Sequence, residues 1–275
     1  MDDKQLKYQE VFMLLYNQII PLNKDKHRRL RLNSADGDTA FAAKTHYVPV
    51  AATEFFQASR DYPLIFAGDT DGGPVALLGL RENENLFSGK NGDWAANTYV
   101  PAFVRRYPFV LAKGDEGDNF TVCFDESYPA FNSNEGEALF EENGKYTVFL
   151  NRIIDFLQQY RAEMLQTTAL VERLNALDLL IQRDLEITTR NGERFSLRGF
   201  RVVDEERLRT LADGKVGELV REGYMGWIYA HLVSLNNLAR LGERLPASVD
   251  VDNTRPDGEG ANTETEPEVT DEVQS

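Results

Sequence analysis

Apolar and polar positions along the chain follow two rhythms: short continuous apolar runs in the first half, and helical spacing in the second. Leu64 to Ala67 and Val75 to Leu80 are unbroken apolar runs flanking Gly68-Asp-Thr-Asp-Gly-Gly73, which predicts two adjacent strands, covered on both faces and joined by a turn. Further on, Pro101 suits the first turn of a short helix that Pro108 ends, leading into an extended Phe109-Val-Leu-Ala112. Asp115-Glu-Gly-Asp118 then turns the chain into Phe120 to Phe124, a hairpin candidate. From Thr147 the period changes. Phe149, Ile153, Phe156, Tyr160, Met164, Val171 and Leu174 recur at helical spacing, predicting one long helix to about Asn175 with an apolar face packed on the sheet.

Shorter signals fill in the rest. Residues 1 to 20 predict a short helix, Lys24 to Arg31 a solvated basic run, and Asn33 to Asp38 a turn. Phe41 to Val50 reads as extended chain, and Thr53 to Arg60 as a short amphipathic helix capped by Thr53. Leu185 and Ile187 alternate with polar residues, as do Phe195 and Leu197, on either side of Asn191-Gly192, so a tight hairpin is expected there. Asp204 is placed to cap a helix over Glu205 to Leu211, and Gly214 and Gly223 to mark helix ends. Trp227 to Leu241 predicts a last helix, with Ile228, Leu232, Leu235 and Ala239 on one face and Trp227, His231, Ser234 and Leu238 on the adjoining one. Strands and helices in mixed clusters, with no repeat period, predict an α+β fold. Its sheet is expected to be mainly antiparallel or mixed, packed by the long helix and a C-terminal helical group.

Composition narrows the function classes. The 275 residues are 42% hydrophobic and carry a formal charge of −15, which repels phosphate backbones and argues against nucleic acid as a partner. From Pro246 to Ser275 nine acidic residues stand against one arginine with no aromatic side chain, so a single globular domain over 1–245 and a disordered acidic tail over 246–275 are expected. The N-terminal residues lack the features of a secretory signal and no apolar run reaches the ~20 residues of a membrane helix, so a cytoplasmic protein without an integral membrane segment is expected. Cys123, the only cysteine, sits in a strand-like alternation and reads as a buried inert thiol.

Candidate chemistry is sparse. Asp69-Thr-Asp-Gly72 lacks the further ligands of a calcium loop, no glycine-rich phosphate cradle occurs, and no Gly-x-Ser-x-Gly elbow is present. Asp125 and Glu126, adjacent on a strand, point to opposite faces and are more cheaply explained as a strand end. His46 and His231 are the histidines to watch, with Asp125, for an iron or zinc site, although no cofactor is expected. The best binding constellation is Arg105-Arg106-Tyr107 with Trp94 and Arg81, because guanidinium groups grip carboxylates and aromatic rings offer stacking surface. A small anionic molecule, or another protein, is the partner this constellation suits.

The blocks Tyr62-Pro-Leu-Ile-Phe66, Pro74 to Leu80, Glu84-Asn-Leu-Phe87, Trp94 and Tyr99 to Phe109 together resemble the SapC family of bacterial proteins. The likeness continues through Leu197 to Glu205 and Ile228 to Asn237, so it covers roughly His46 to Leu241. The resemblance implies no established catalytic residues. It does imply an accessory role, since members are named for an association with a surface layer and tend to be encoded near nutrient receptors and flavin-dependent halogenases. A metal-dependent, oxygenase-like enzyme using His46 or His231 is the rival reading, and a surface-layer component a third.

Overall fold

The computed structural model describes residues 14–33, 38–68, 72–89, 91–113, 119–188 and 192–245. The predicted acidic tail and the turns over 69–71 and 114–118 lie outside those residues, as do most of the 33–38 turn and Asn191. In chain order come β1 (Ile19–Pro21), β2 (Arg31–Leu32), β3 (Tyr47–Pro49), α1 (Phe55–Ala58), β4 (Leu64–Phe66), β5 (Pro74–Leu77) and α2 (Ala102–Arg105). They are followed by β6 (Phe109–Lys113), β7 (Phe120–Asp125), β8 (Phe131–Asn132), β9 (Glu137–Ala138) and the long α3 (Val148–Ala176). Last are β10 (Leu180–Thr188), β11 (Arg194–Val203), α4 (Glu205–Arg209), α5 (Asp213–Arg221), α6 (Tyr224–Ser234) and α7 (Asn237–Glu243).

The protein is α+β, and every strand pair among the described residues is antiparallel. A five-stranded sheet runs β10-β11-β4-β5-β3, and two three-stranded sheets run β1-β7-β6 and β8-β2-β9. Leu64, Ile65 and Phe66 of β4 and all four residues of β5 are buried, as unbroken apolar runs require in strands covered on both faces. In the long hairpin Leu185 stands opposite Leu197 and Ile187 opposite Phe195, the cross-strand apolar pairs that the alternation predicts.

The middle of the large sheet is wedge-shaped. β4 and β11 are paired through Phe66 and Arg201, and one end of that register brings Gly68 so close to Gly199 that a Cβ on Gly68 would lie 1.9 Å from the Gly199 carbonyl oxygen. Gly199 has a φ of +70° and donates its N–H to Asp184 at 3.0 Å, where the β10–β11 register slips by a bulge. At the other end the same register would set Leu64 opposite Val203, but the strands have parted and the imidazole of His231 fills the gap. Its Nδ1 lies 2.9 Å from the Leu64 carbonyl oxygen, and its Nε2 accepts the Val203 N–H at 3.1 Å. The carbonyl can only accept, so the proton sits on Nδ1.

Neighbouring polar groups of the same helical stripe extend this clamp. Ser234 Oγ accepts the Leu64 N–H at 3.0 Å, and Asn237 Nδ2 donates to the carbonyls of Ser59 at 2.7 Å and Tyr62 at 3.1 Å. The buried face of the C-terminal helices is therefore Ile228, His231, Ser234, Asn237 and Leu241, and the expected Leu232–Leu235–Ala239 face is not the buried one. The single predicted helix is also two, broken between Ser234 and Asn237.

Two apolar clusters hold the domain. The larger lies under the five-stranded sheet and includes Phe55, Tyr62, Phe66, Phe103, Tyr160 and Leu174; the smaller joins the two short sheets through Phe109, Phe124, Leu139, Phe140, Leu150 and Leu157. α3 serves both: Leu150 and Leu157 enter the smaller cluster, and Tyr160, Leu170, Val171 and Leu174 the larger. Its sequence stripe therefore rotates along the helix, which is why Leu150, Leu157 and Leu170 are buried though the spacing did not select them. Thr147 caps α3 by accepting the Leu150 N–H at 3.2 Å, and Asp204 caps α4 by accepting from Glu206 and Arg207.

Four local expectations change. Thr53 caps nothing: the turn Ala52–Glu54 precedes α1, and the Glu54 carboxylate takes the Ala51 N–H at 2.9 Å. Gly214 lies inside α5, whereas Gly223, with a φ of +80°, does separate α5 from α6. Ile19 and Ile20, expected at the end of a helix, belong to a strand on β7, and a turn of 3₁₀ helix over Ala40–Ala42 interrupts the extended chain predicted from Phe41.

Burial holds the His231 pKa down to about 4, against an ordinary 6.5. Between those values the unfolded chain binds the proton and the folded one does not, so stability is complete above pH 6.5 and declines as pH falls toward 4. The loss from this group is expected to be roughly 3 kcal/mol. His231→Phe, which orphans the Leu64 carbonyl and the Val203 N–H, is expected to lower stability at neutral pH by about 2–4 kcal/mol and to flatten this acid dependence. Urea unfolding at pH 7.5 and 4.5 checks both; an acid dependence identical in the variant would show that the imidazole is not its source.

Candidate functional site

The sequence places Arg105 and Arg106 side by side on α2, and a helical turn sends adjacent side chains in different directions. Arg106 goes inward. It is buried, its guanidinium 4.2 Å from the centre of the Phe103 ring and 5.3 and 5.5 Å from the rings of Tyr160 and Tyr16. Arg105 goes outward. It is exposed, lies over Tyr99 and Phe156, and donates to the Val100 carbonyl at 3.0 Å and the Tyr99 hydroxyl at 3.2 Å. Among the described residues it makes no ion pair.

Arg105 stands at the rim of a cleft of about 270 Å³ between the Ala52–Glu54 turn, the start of α2 and the middle of α3. Thr53, Glu54 and Gln57 line it from one side, Tyr99 and Arg105 from another, and Phe156, Gln159, Tyr160 and Glu163 from α3. The turn is tied to the helix by the Ala52 N–H, which donates to Thr167 Oγ1 at 2.8 Å. Two hydroxyls of this wall, Thr53 Oγ1 and Tyr160 Oη, are buried without a hydrogen-bond partner among the described residues.

Glu54 organises the cleft. One carboxylate oxygen accepts from the Tyr99 hydroxyl and from the Ala102 N–H, each at 2.7 Å, and the other from Ala51. This carboxylate therefore fastens the start of α2, which lacks a side-chain cap of its own, to the turn before α1. Burial pushes its pKa up in spite of three donors and the nearby Arg105 charge. Tyr99, next to the same carboxylate and partly buried, has its phenol raised well above the ordinary range, so it stays protonated as a donor. Glu163 differs. It is half-buried, accepts only from Gln159 at 2.9 Å, and faces no cation within ion-pairing distance among the described residues.

The other sequence candidates lie elsewhere. Trp94 stands behind the cleft: its Nε1 donates to the Tyr62 hydroxyl at 2.8 Å, which in turn donates to the Tyr99 carbonyl. Tyr107 stacks on Phe41 at 4.0 Å between the two apolar clusters and donates to Asp125 at 3.3 Å. Arg81 is neutralised by Glu84 at 3.1 Å and Glu193 at 2.8 Å, at the tip of the long hairpin. So Arg105 alone of the five meets the cleft.

The histidines do not converge. His231 has its Nδ1 proton and its Nε2 lone pair both engaged by backbone, leaving no lone pair for a metal, and His46 precedes β3, on the far side of β5 from β4. Asp125 is buried at a strand end, accepting from Asn17, Gln18 and both the N–H and hydroxyl of Ser127. Burial opposes its charge, but those donors outweigh it and lower the pKa. Among the described residues no group of three His, Cys, Asp or Glu side chains could hold a metal ion. Cys123 is buried in β7, its thiol pKa raised by burial.

Sequence reasoning passed over Glu54, Thr53 and Glu163 as site residues and read Tyr160 as core. The available signal was a carboxylate inside the otherwise apolar Val50-Ala-Ala-Thr-Glu-Phe-Phe56, which must find several donors if the run is buried.

Residues 22–241 match the SapC family, which covers most of the chain, and the protein belongs to that family. No curated protein and no solved structure matches it. Among the described residues no helix is long and apolar enough to cross a membrane.

Glu54→Ala leaves the Ala51 and Ala102 N–H groups and the Tyr99 hydroxyl facing a void, and is expected to cost at least about 3 kcal/mol. Tyr99→Phe removes one donor and orphans no backbone group, so about 1 kcal/mol is expected. Denaturant unfolding at pH 7 measures both, and equal costs would show that Glu54 does not hold the turn and α2 together.

Proposed function

We propose that this SapC family member acts by binding a small anionic molecule in the cleft around Arg105, as an accessory protein in the uptake or modification of a metabolite. The observation that carries the reading is a guanidinium at the mouth of a 270 Å³ hollow, with no carboxylate in ion-pair contact among the described residues. Five N–H donors in a planar fork make such a group a natural partner for a carboxylate or phosphate. Its position is fixed by the Val100 and Tyr99 contacts, so little freedom is lost when a ligand is gripped.

The size of the hollow suits a metabolite better than a macromolecule, because cavities for drug-sized ligands begin at about 300 Å³. Tyr99, Phe156 and Tyr160 supply aromatic walls against which an apolar part of the ligand can lie. The strongly acidic chain speaks against a nucleic-acid partner, and the engaged nitrogens of His231 give the metal-dependent alternative no support. A cytoplasmic setting belongs to the same proposal.

Thermal unfolding in the presence of millimolar acetate, glutarate or inorganic phosphate tests the reading. At least one of these anions is expected to raise the melting midpoint by a few degrees, and Arg105→Gln to remove at least nine-tenths of that shift. Absence of any shift in the parent protein, or an undiminished shift in the variant, would exclude Arg105 as the anion contact.

A further inference from the structure

The cleft holds charges of both signs that do not meet. Arg105 and Glu163 line the same hollow, yet they make no ion pair with each other or with any other described residue. Two long flexible side chains of opposite charge lining one cleft can close on each other unless something holds them apart. Here both are held: Arg105 by the Val100 carbonyl and the Tyr99 hydroxyl, and Glu163 by Gln159 one helical turn away.

The remaining carboxylate is already compensated. Both Glu54 oxygens are spent on the Ala51, Ala102 and Tyr99 donors, so its role is to support the wall. Glu163, with one oxygen that accepts from no described donor, is the acceptor still open to a ligand. Tyr160, more than nine-tenths buried, lines the same cleft and has a buried hydroxyl with no partner among the described residues. A purely anionic ligand would satisfy Arg105 but would bring a second negative charge into the cleft that Glu163 lines and leave Glu163 without a partner.

We propose that the ligand of this cleft is a zwitterion of the amino-acid class, its carboxylate on Arg105 and its ammonium on Glu163, with the side chain against Phe156, Tyr99 and Tyr160. This rests on the anion-binding reading and narrows it: the second charge supplies what the first leaves unanswered. Such a molecule carries two opposite charges a few ångströms apart, and it bridges the separated pair that the protein keeps from closing on itself. It also brings no net charge into a cleft whose two carboxylates outnumber its one guanidinium.

Matched probes separate the two ideas. L-phenylalanine and 3-phenylpropionate differ by the ammonium, as do L-glutamate and glutarate, and each can be titrated by calorimetry at pH 7. The amine-bearing member of at least one pair is expected to bind tenfold or more tightly than its partner. Glu163→Gln is expected to reduce that preference to less than threefold, and Arg105→Gln to abolish binding of both members. Equal binding within each pair, tighter binding of the desamino acids, or an undiminished preference in Glu163→Gln overturns the zwitterion assignment and leaves anion binding standing. If phosphate and all four organic probes fail to bind the folded parent protein, both readings are overturned. Glu163→Asp, which keeps the charge, is expected to retain at least part of the preference, whereas a loss equal to that in Glu163→Gln would reveal a merely structural role and count against the assignment.

Discussion

One imidazole takes the place of a missing pair of main-chain hydrogen bonds in the centre of the large sheet, and much of the fold follows from that substitution. β4 and β11 touch at Gly68 and Gly199 and part toward Leu64 and Val203. A parted antiparallel pair in a buried sheet would strand a carbonyl and an N–H, each costing about 1–3 kcal/mol. Neutral His231 answers both at once, one nitrogen donating and the other accepting. No other side chain offers a donor and an acceptor on opposite sides of so compact and rigid a ring. The helix that carries it is thereby fixed against the sheet, and Ser234 and Asn237 lengthen the attachment along the segment from Ser59 to Leu64.

This arrangement also explains what the sequence blocks that carry the resemblance have in common. Tyr62 to Phe66 and the segment around His231, Ser234 and Asn237 are far apart in the chain yet are the two halves of one contact. The block from Tyr99 to Arg106 is likewise seated by Glu54 and by Asp61, which takes the Tyr99 N–H at 2.9 Å. The blocks on which the resemblance was read thus account first for how the elements are joined. The cleft borders these joints, so recognition and architecture share Tyr99 and Glu54.

Strands with unbroken apolar runs, the hairpin with alternating pairs and the long α3 were legible in sequence because each depends on local periodicity. The C-terminal helices were not. Their buried stripe is written in His231, Ser234 and Asn237, polar residues that hydropathy assigns to water and that only a partner 170 positions away makes intelligible. The arginine pair was legible as a motif but not as geometry, since its two members separate by the turn of a helix, one into an aromatic surround and the other onto the cleft. Trp94, Arg81 and Tyr107 were grouped with them by proximity in sequence, and tertiary structure distributes them to three different tasks. Glu54 escaped notice because a single carboxylate has no period; its meaning lies in three donors supplied by two segments.

The stretch of α3 that lines the cleft, from Phe156 to Glu163, is also where the helix passes from one apolar cluster to the other, Leu157 belonging to the smaller and Tyr160 to the larger. Phe41 and Tyr107 form the companion link, packing against both clusters as a stacked pair. The hollow thus sits where the packing of the two clusters meets along one helix, so the side chains that shape it also hold the interior together.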